Sequence, residues 1–114
     1  MNICFEYLYR DAGNNKLHGV MILKGNDTNR LDEIDEEIKR NLMDQSFFVP
    51  KDVGIEPLRF DQFDIDLDHD WHEYCGVDWT EEPITQSAIS DIGVFLGLLK
   101  KSKKALDQIF ERKR

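Results

Sequence analysis

The sequence predicts an α+β protein: an antiparallel sheet of three to five strands with helices packed on one face. Two strand-like runs around a turn open the chain, an amphipathic helix follows them, and a long amphipathic run closes it. The 114 residues are 40% hydrophobic, which is enough for one core. We expect a single α+β domain over residues 1–99 and a basic C-terminal helical extension over residues 100–114.

The first two elements are predicted to pair as a β-hairpin. In residues 2–10, NICFEYLYR, aromatic and β-branched residues alternate with a second, more polar set. Residues 11–16, DAGNNK, are of the types that form turns, and residues 18–25, HGVMILKG, have the composition of a second strand.

A helix is predicted directly after the hairpin. Residues 26–29, NDTN, offer N-cap side chains. The apolar positions that follow recur at intervals of three and four and share one face: Leu31, Ile34, Ile38 and Leu42. Acidic residues crowd the first turns and basic residues come later, an order that suits the helix dipole.

Further strands are expected in the middle of the chain. The pattern favours a short strand in residues 46–50, a loop in 51–57, a strand in 58–66 and another in 71–80. The strand order cannot be read from these patterns.

The last element is predicted to be a long helix from about residue 88, with Ser87 as a candidate N-cap. Its apolar stripe comprises Ile89, Ile92, Phe95, Leu96, Leu99, Leu106, Ile109 and Phe110. Gly93 and Gly97 lower the helix propensity and would allow close packing against a neighbour.

Charge is segregated along the chain. The net charge is −8, but residues 100–114 carry seven basic and two acidic groups, a net +5, so −13 remains on residues 1–99. Residues 61–82, called the acidic segment below, contain nine carboxylates and no Lys or Arg. This balance disfavours direct nucleic-acid binding except through the basic tail. The acidic segment is either a solvated surface or the complement of a basic one, on another protein or on the tail of a second copy.

The densest stretch is DLDHDWHEYCGVDW, residues 66–79. His69 and His72, with the neighbouring carboxylates, offer nitrogen and oxygen ligands for a divalent metal, the one cofactor that we consider. The spacing is not that of the H-E-x-x-H motif. A calcium loop is also disfavoured, because His69 takes the position of its glycine and Cys75 that of its final glutamate.

The rest of the sequence shows no pattern that indicates a catalytic site. We expect Cys4 and Cys75 to be reduced, buried thiols, and the carboxylates near Cys75 should raise its pKa rather than lower it. No phosphate-binding loop, dinucleotide fingerprint or nucleophile elbow is present in the sequence. No catalytic residue is therefore assigned. The N-terminus lacks the features of a signal peptide and no apolar run could span a bilayer, so we expect a cytoplasmic protein without membrane contact.

Two motifs carry a resemblance to a known family. FEYLYRDAGN, residues 5–14, and LDHDWHEY, residues 67–74, together with an intervening acidic helix and the FF pair, resemble a family of small acidic bacterial proteins with no established activity. The resemblance covers residues 3 to about 96 and implies a bacterial or phage origin and a cytosolic location. It implies no catalytic residues.

The sequence thus favours a small interaction protein, such as an inhibitor, an immunity factor or an anti-defence protein, over an enzyme. Its partner would present a basic surface, for example that of a nucleic-acid-binding protein. The residues expected to bind it are Asp64, Asp66, Asp68, Asp70, Trp71 and Glu73. Trp71, like Tyr74 and Trp79, is either a core residue or an exposed anchor. The alternatives are a metal-dependent enzyme using the two histidines, and a homo-oligomer or structural subunit assembled through the last helix.

Overall fold

The structure is a computed structural model that describes residues 1–25, 28, 30–61, 68–86 and 88–112. It confirms the α+β class, with a four-stranded antiparallel sheet and two helices. The elements are β1 (Asn2–Arg10), β2 (Lys16–Lys24), α1 (Leu31–Arg40), β3 (Phe47–Phe48), β4 (His72–Thr80) and α2 (Ile92–Arg112), with a short 3₁₀ helix at Pro50–Val53. The strand order in the sheet is β2-β1-β4-β3.

β1 lies in the middle of the sheet and supplies the centre of the core. Ile3, Phe5, Tyr7 and Tyr9 are all buried, as the aromatic alternation predicts. The predicted hairpin to β2 is confirmed, with a turn closed by the backbone N–H of Asp11 donating to Asn15.

β4 pairs with the other side of β1, and this pairing contains a β-bulge. The register shifts between Glu6 and Tyr7, so that Cys75 is the extra residue between Tyr74 and Gly76. Gly76 has φ 150°, a backbone conformation that side-chain-bearing residues rarely adopt. The bulge leaves Cys75 exposed, whereas Tyr74 packs against the core.

Both helices contribute to a single core with the sheet. Ile34 and Ile38 of α1 and Phe95 and Leu99 of α2 are buried in the same cluster as Phe5. The helices therefore pack on the face of the sheet that carries the β1 aromatics, as predicted.

The helix starts differ from the expected caps. Arg30 occupies the N-cap position of α1, and of the NDTN residues only Thr28 belongs to the described part of the chain. Ser87, the cap expected for the last helix, also lies outside the described residues.

α2 begins four residues later than the sequence pattern indicates. Asp91 caps it, because its carboxylate accepts the backbone N–H of Val94 at 3.0 Å. Ile89 is buried, but it packs against Gly54 outside the helix. A β-carbon added at Gly97 would meet no neighbour from the rest of the described fold within 4 Å, so Gly97 is not the close-packing site that we expected.

The predicted strand at 58–66 is not found in its described part. Residues 58–61 form no strand, and residues 62–67 lie outside the described residues. No helix in the described portion of the chain is both long and apolar enough to cross a bilayer.

Candidate functional site

The predicted site residues that the structure describes, Asp68 to Glu73, lie at the start of β4, where His72 is buried. Its imidazole is 1% exposed and lies among the rings of Tyr7, Tyr9 and Phe48. The Nε2 atom accepts the backbone N–H of Leu58 at 3.0 Å, so Nδ1 carries the proton and donates to the carbonyl of Asp70 at 3.1 Å. Burial lowers the pKa of His72, and the ring is held neutral.

His69 is exposed, and its ring forms a hydrogen bond with the backbone instead of packing in the core. Its Nδ1 accepts the N–H of Trp71 at 3.0 Å, and its carbonyl accepts the hydroxyl of Tyr9 at 2.8 Å. Within the described residues, no group of three His, Cys, Asp or Glu side chains could hold a metal ion. Because the Nε2 lone pair of His72 already accepts the N–H of Leu58, coordination of a metal through Nε2 would displace that hydrogen bond. A metal site at His69 and His72 stays a prediction without a supporting contact.

The predicted partner-binding carboxylates are not equivalent in the structure. Asp68 accepts the backbone N–H of Ala12 at 3.0 Å, which ties the acidic segment to the hairpin turn. Asp70 lies 3.5 Å from Arg59, with both side chains substantially exposed, so this pair contributes little to stability. Asp64 and Asp66 lie outside the described residues.

Glu73 has a structural role on β4. The guanidinium of Arg10 on the neighbouring strand donates to both of its carboxylate oxygens, at 3.3 and 3.1 Å. This two-bond geometry orients the pair more firmly than a single contact would. Glu73 is thus less available to a partner than Asp70, whose carboxylate is exposed.

Tyr74 connects β4 to the first helix. Its hydroxyl donates to Asp35 at 2.6 Å, and the same carboxylate binds Lys39 at 3.0 Å. Burial alone would raise the pKa of Asp35, but the hydrogen bonds from Tyr74 and Lys39 outweigh it and leave that pKa lowered. Burial and the adjacent carboxylate strongly raise the pKa of Tyr74. Tyr74 is therefore a structural residue.

Trp71 has a different environment, an apolar groove at the β3 edge of the sheet. The groove has a volume of about 340 Å³. Its described lining residues are Met43, Asp44, Phe47, His69, Trp71 and Phe110. Trp71 is half-buried and Phe110 is 42% exposed, so large aromatic surface remains in contact with solvent. Such surface is typical of interaction sites.

Three of the lining residues, Met43, Asp44 and Phe47, belong to the turn between α1 and β3 and to the start of β3. Met43 and Phe47 exchange backbone hydrogen bonds in both directions, which fixes their side chains beside each other. Between them, Asp44 and Gln45 both have positive φ values, 51° and 60°, which is rare for residues other than glycine. Asp44 in this tight turn is exposed and is one of the residues that line the groove.

The sequence did not indicate Met43, Asp44, Phe47 or Phe110 as site residues. Phe47 and Phe48 are adjacent in β3 and point to opposite sides, with Phe48 buried and Phe47 only half-buried. The FF pair was therefore a usable signal, since two neighbouring strand residues cannot both face one core.

The two cysteines do not resemble nucleophiles. Burial and nearby carboxylates raise the pKa of Cys75, in the direction expected from the sequence, and the same causes raise that of Cys4. Cys75 is exposed rather than buried as we expected, because it is the bulge residue of β4.

The fold and the site define an antiparallel α+β protein with an aromatic groove beside an acidic segment. Comparison of the chain with protein-family models, with curated proteins and with solved structures finds no match.

Proposed function

We propose that this protein is a small acidic interaction module that binds a basic surface of a partner protein, in the manner of an inhibitor, an immunity factor or an anti-defence protein. The observation that carries the proposal is the partly exposed Trp71 of the acidic segment, which lines an apolar groove. Binding hot spots combine large aromatic anchors with a surrounding ring that excludes water.

The charge distribution supports the same function. The acidic segment contains no Lys or Arg, and its carboxylates Asp61, Asp70, Asp78, Glu81 and Glu82 are exposed. Such a field accelerates encounter with a basic partner and disfavours acidic ones, whereas the aromatic contact supplies the lasting affinity. Because Asp68 and Glu73 already have internal partners, we expect the steering to depend mainly on Asp70 and on Asp64 and Asp66.

The test is capture of partners from host-cell extract by the tagged full chain, followed by affinity measurement with the purified partner. The first variant neutralises the segment through Asp64→Asn, Asp66→Asn and Asp70→Asn. The matched control removes the same charge from exposed positions elsewhere, through Glu33→Gln, Glu36→Gln and Glu56→Gln.

We expect the captured partner to be basic and the first variant to bind roughly tenfold more weakly, mainly through slower association, with less than about a twofold change in the control. Affinity should fall as salt rises, because exposed charges are screened. Equal effects of the two variants, or a salt-independent affinity, would contradict the proposal.

A further inference from the structure

The groove at the β3 edge has the chemistry of a site for one organic cation. We propose that it binds an arginine side chain of the basic partner, with the guanidinium against Trp71 and the aliphatic stem between Met43 and Phe110. This inference rests on the proposed function and deepens it by naming the side chain that the groove accepts.

Three aromatic rings line the groove. Phe47, Trp71 and Phe110 come from three separate parts of the chain and meet around the groove. Among the described residues, no ring–ring contact joins any two of them, whereas the core rings of Phe5, Tyr7 and Phe48 contact one another. All three rings line the groove and are at least partly exposed, and aromatic faces attract cations.

Carboxylates lie at the groove and at the depression beside it. Asp44 lines the groove, and a neighbouring depression that shares Met43 and Phe110 adds Asp107 and Glu111. Lys103 neutralises Asp107 at 2.8 Å, but Asp44 and Glu111 are both exposed. An apolar site rimmed by carboxylates suits a ligand with an apolar stem and a cationic head.

The aromatic lining favours an arginine side chain over a lysine side chain. The guanidinium is planar and weakly hydrated, and it stacks on aromatic faces, whereas the lysine ammonium is compact and strongly hydrated. The described lining offers the faces of Phe47, Trp71 and Phe110 for stacking, and the Asp44 carboxylate is available to accept hydrogen bonds from a planar head group. The groove therefore accommodates the first head group at a lower desolvation cost than the second.

The experiment uses the full chain and three blocked tripeptides in which arginine, lysine or the neutral isostere citrulline lies between two glycines. Binding is followed by NMR through the indole N–H of Trp71 and the methyl group of Met43. Phe110→Ala removes one groove wall, and Val94→Ala on the same helix is the matched control, since Val94 is 51% exposed and does not line the groove.

We expect saturable shifts with the arginine peptide, at least about threefold tighter than with the lysine or citrulline peptide. Phe110→Ala should weaken arginine binding at least about threefold, and Val94→Ala should leave it unchanged. Absence of shifts at Trp71, equal binding of citrulline and arginine, or equal effects of the two variants would each overturn the assignment.

The two proposals fail separately. If the arginine peptide does not bind but the partner still responds to neutralisation of Asp64, Asp66 and Asp70, only the arginine assignment falls. If the peptide binds and the partner ignores that neutralisation, the groove preference stands and the steering function falls.

Discussion

His72 accepts the backbone N–H of Leu58 across fourteen residues of chain and donates its other ring proton to the carbonyl of Asp70. One buried imidazole therefore links the backbone of Leu58 to that of Asp70. Protonation would turn Nε2 into a donor facing the Leu58 N–H, which it can no longer accept. The charge would also lie among aromatic rings in a site from which water is excluded.

The first prediction is a loss of stability at mildly acidic pH. The pKa of His72 is lowered in the folded state, so the unfolded chain binds the proton more tightly. The stabilisation is complete above the unfolded value of about 6.5 and is lost as the pH falls through the folded pKa. As the pH falls below about 6.5, chemical denaturation should show a free energy of unfolding that decreases by up to about 1.4 kcal/mol per pH unit until the folded pKa is passed.

The variant His72→Gln tests the origin of that slope, because it keeps an acceptor for the Leu58 N–H but cannot titrate. The slope should disappear in this variant and persist in His18→Gln, whose histidine is exposed on β2. A slope that survives His72→Gln would assign the acid sensitivity to other groups.

The second prediction concerns the contact between Tyr74 and Asp35. Tyr74→Phe removes a 2.6 Å hydrogen bond to a carboxylate, and we expect a loss of about 1.5 kcal/mol in urea denaturation. The pKa of Asp35 is lowered by this bond, so its stabilisation is present above the unfolded value of about 3.9 and is lost as the pH falls through the folded pKa.

A tyrosine bonded to a neutral group provides the control for that experiment. Tyr9→Phe removes a hydrogen bond to the carbonyl of His69 and should cost about 1 kcal/mol at neutral pH. The mutational cost should shrink in acid for Tyr74→Phe as Asp35 becomes protonated. A mutational cost that shrinks strongly in acid for Tyr9→Phe but not for Tyr74→Phe would contradict the assignment of this pH dependence to Asp35.

The third prediction contrasts two glycines. Gly97 lies in α2 with open space around its β-carbon position, so Gly97→Ala should stabilise the protein by up to about 1 kcal/mol. A β-carbon at Gly19 would lie 2.7 Å from Cζ of Tyr7, so Gly19→Ala should destabilise by about 1–3 kcal/mol. Thermal unfolding measures both, and shifts of the same sign would contradict the packing described.

The fourth prediction concerns the start of α1. Arg30 occupies the N-cap position with extended backbone angles, φ −119° and ψ 129°, but its side chain makes no capping hydrogen bond. Arg30→Ser supplies an acceptor for the first turn and should stabilise by about 0.5–1 kcal/mol, since the exposed pair with Asp32 contributes little. Arg30→Ala, which supplies no acceptor, should be less stable than Arg30→Ser by at least about 0.5 kcal/mol.

Local patterns predicted most of the fold. Alternation over residues 2–10 and the turn that follows specify the hairpin, and the 3.6-residue period specifies α1. The start of α2 was predicted too early, because the spacing of Ile89 from Ile92 matches a helix although Ile89 packs in the preceding loop. The pairing of β1 with β4 could not be predicted, since it joins residues more than 60 positions apart.

The site was predicted only in part. The run of carboxylates predicts an acidic surface, because charged side chains mostly remain in contact with water, and Asp61, Asp70 and Asp78 are exposed. The groove requires Met43, Phe47, Trp71 and Phe110 to meet from three regions of the chain, which depends on the tertiary fold. The contacts that occupy His72 and Glu73 likewise come from Leu58 and Arg10, remote residues that no local spacing reveals.

The strand order also has a kinetic consequence. The β1–β2 hairpin closes a short turn and forms on a microsecond scale. The second edge of β1 is hydrogen-bonded only when β4 pairs with it, from the Tyr9–His72 pair to the Asn2–Thr80 pair, and this pairing closes a much longer loop. During synthesis, one edge of β1 therefore remains without its native partner until the ribosome has released residue 80. Folding speed should depend on this late closure, and substitutions at the β1–β4 seam, such as Val77→Ala opposite Phe5, should slow refolding more than substitutions in the hairpin turn.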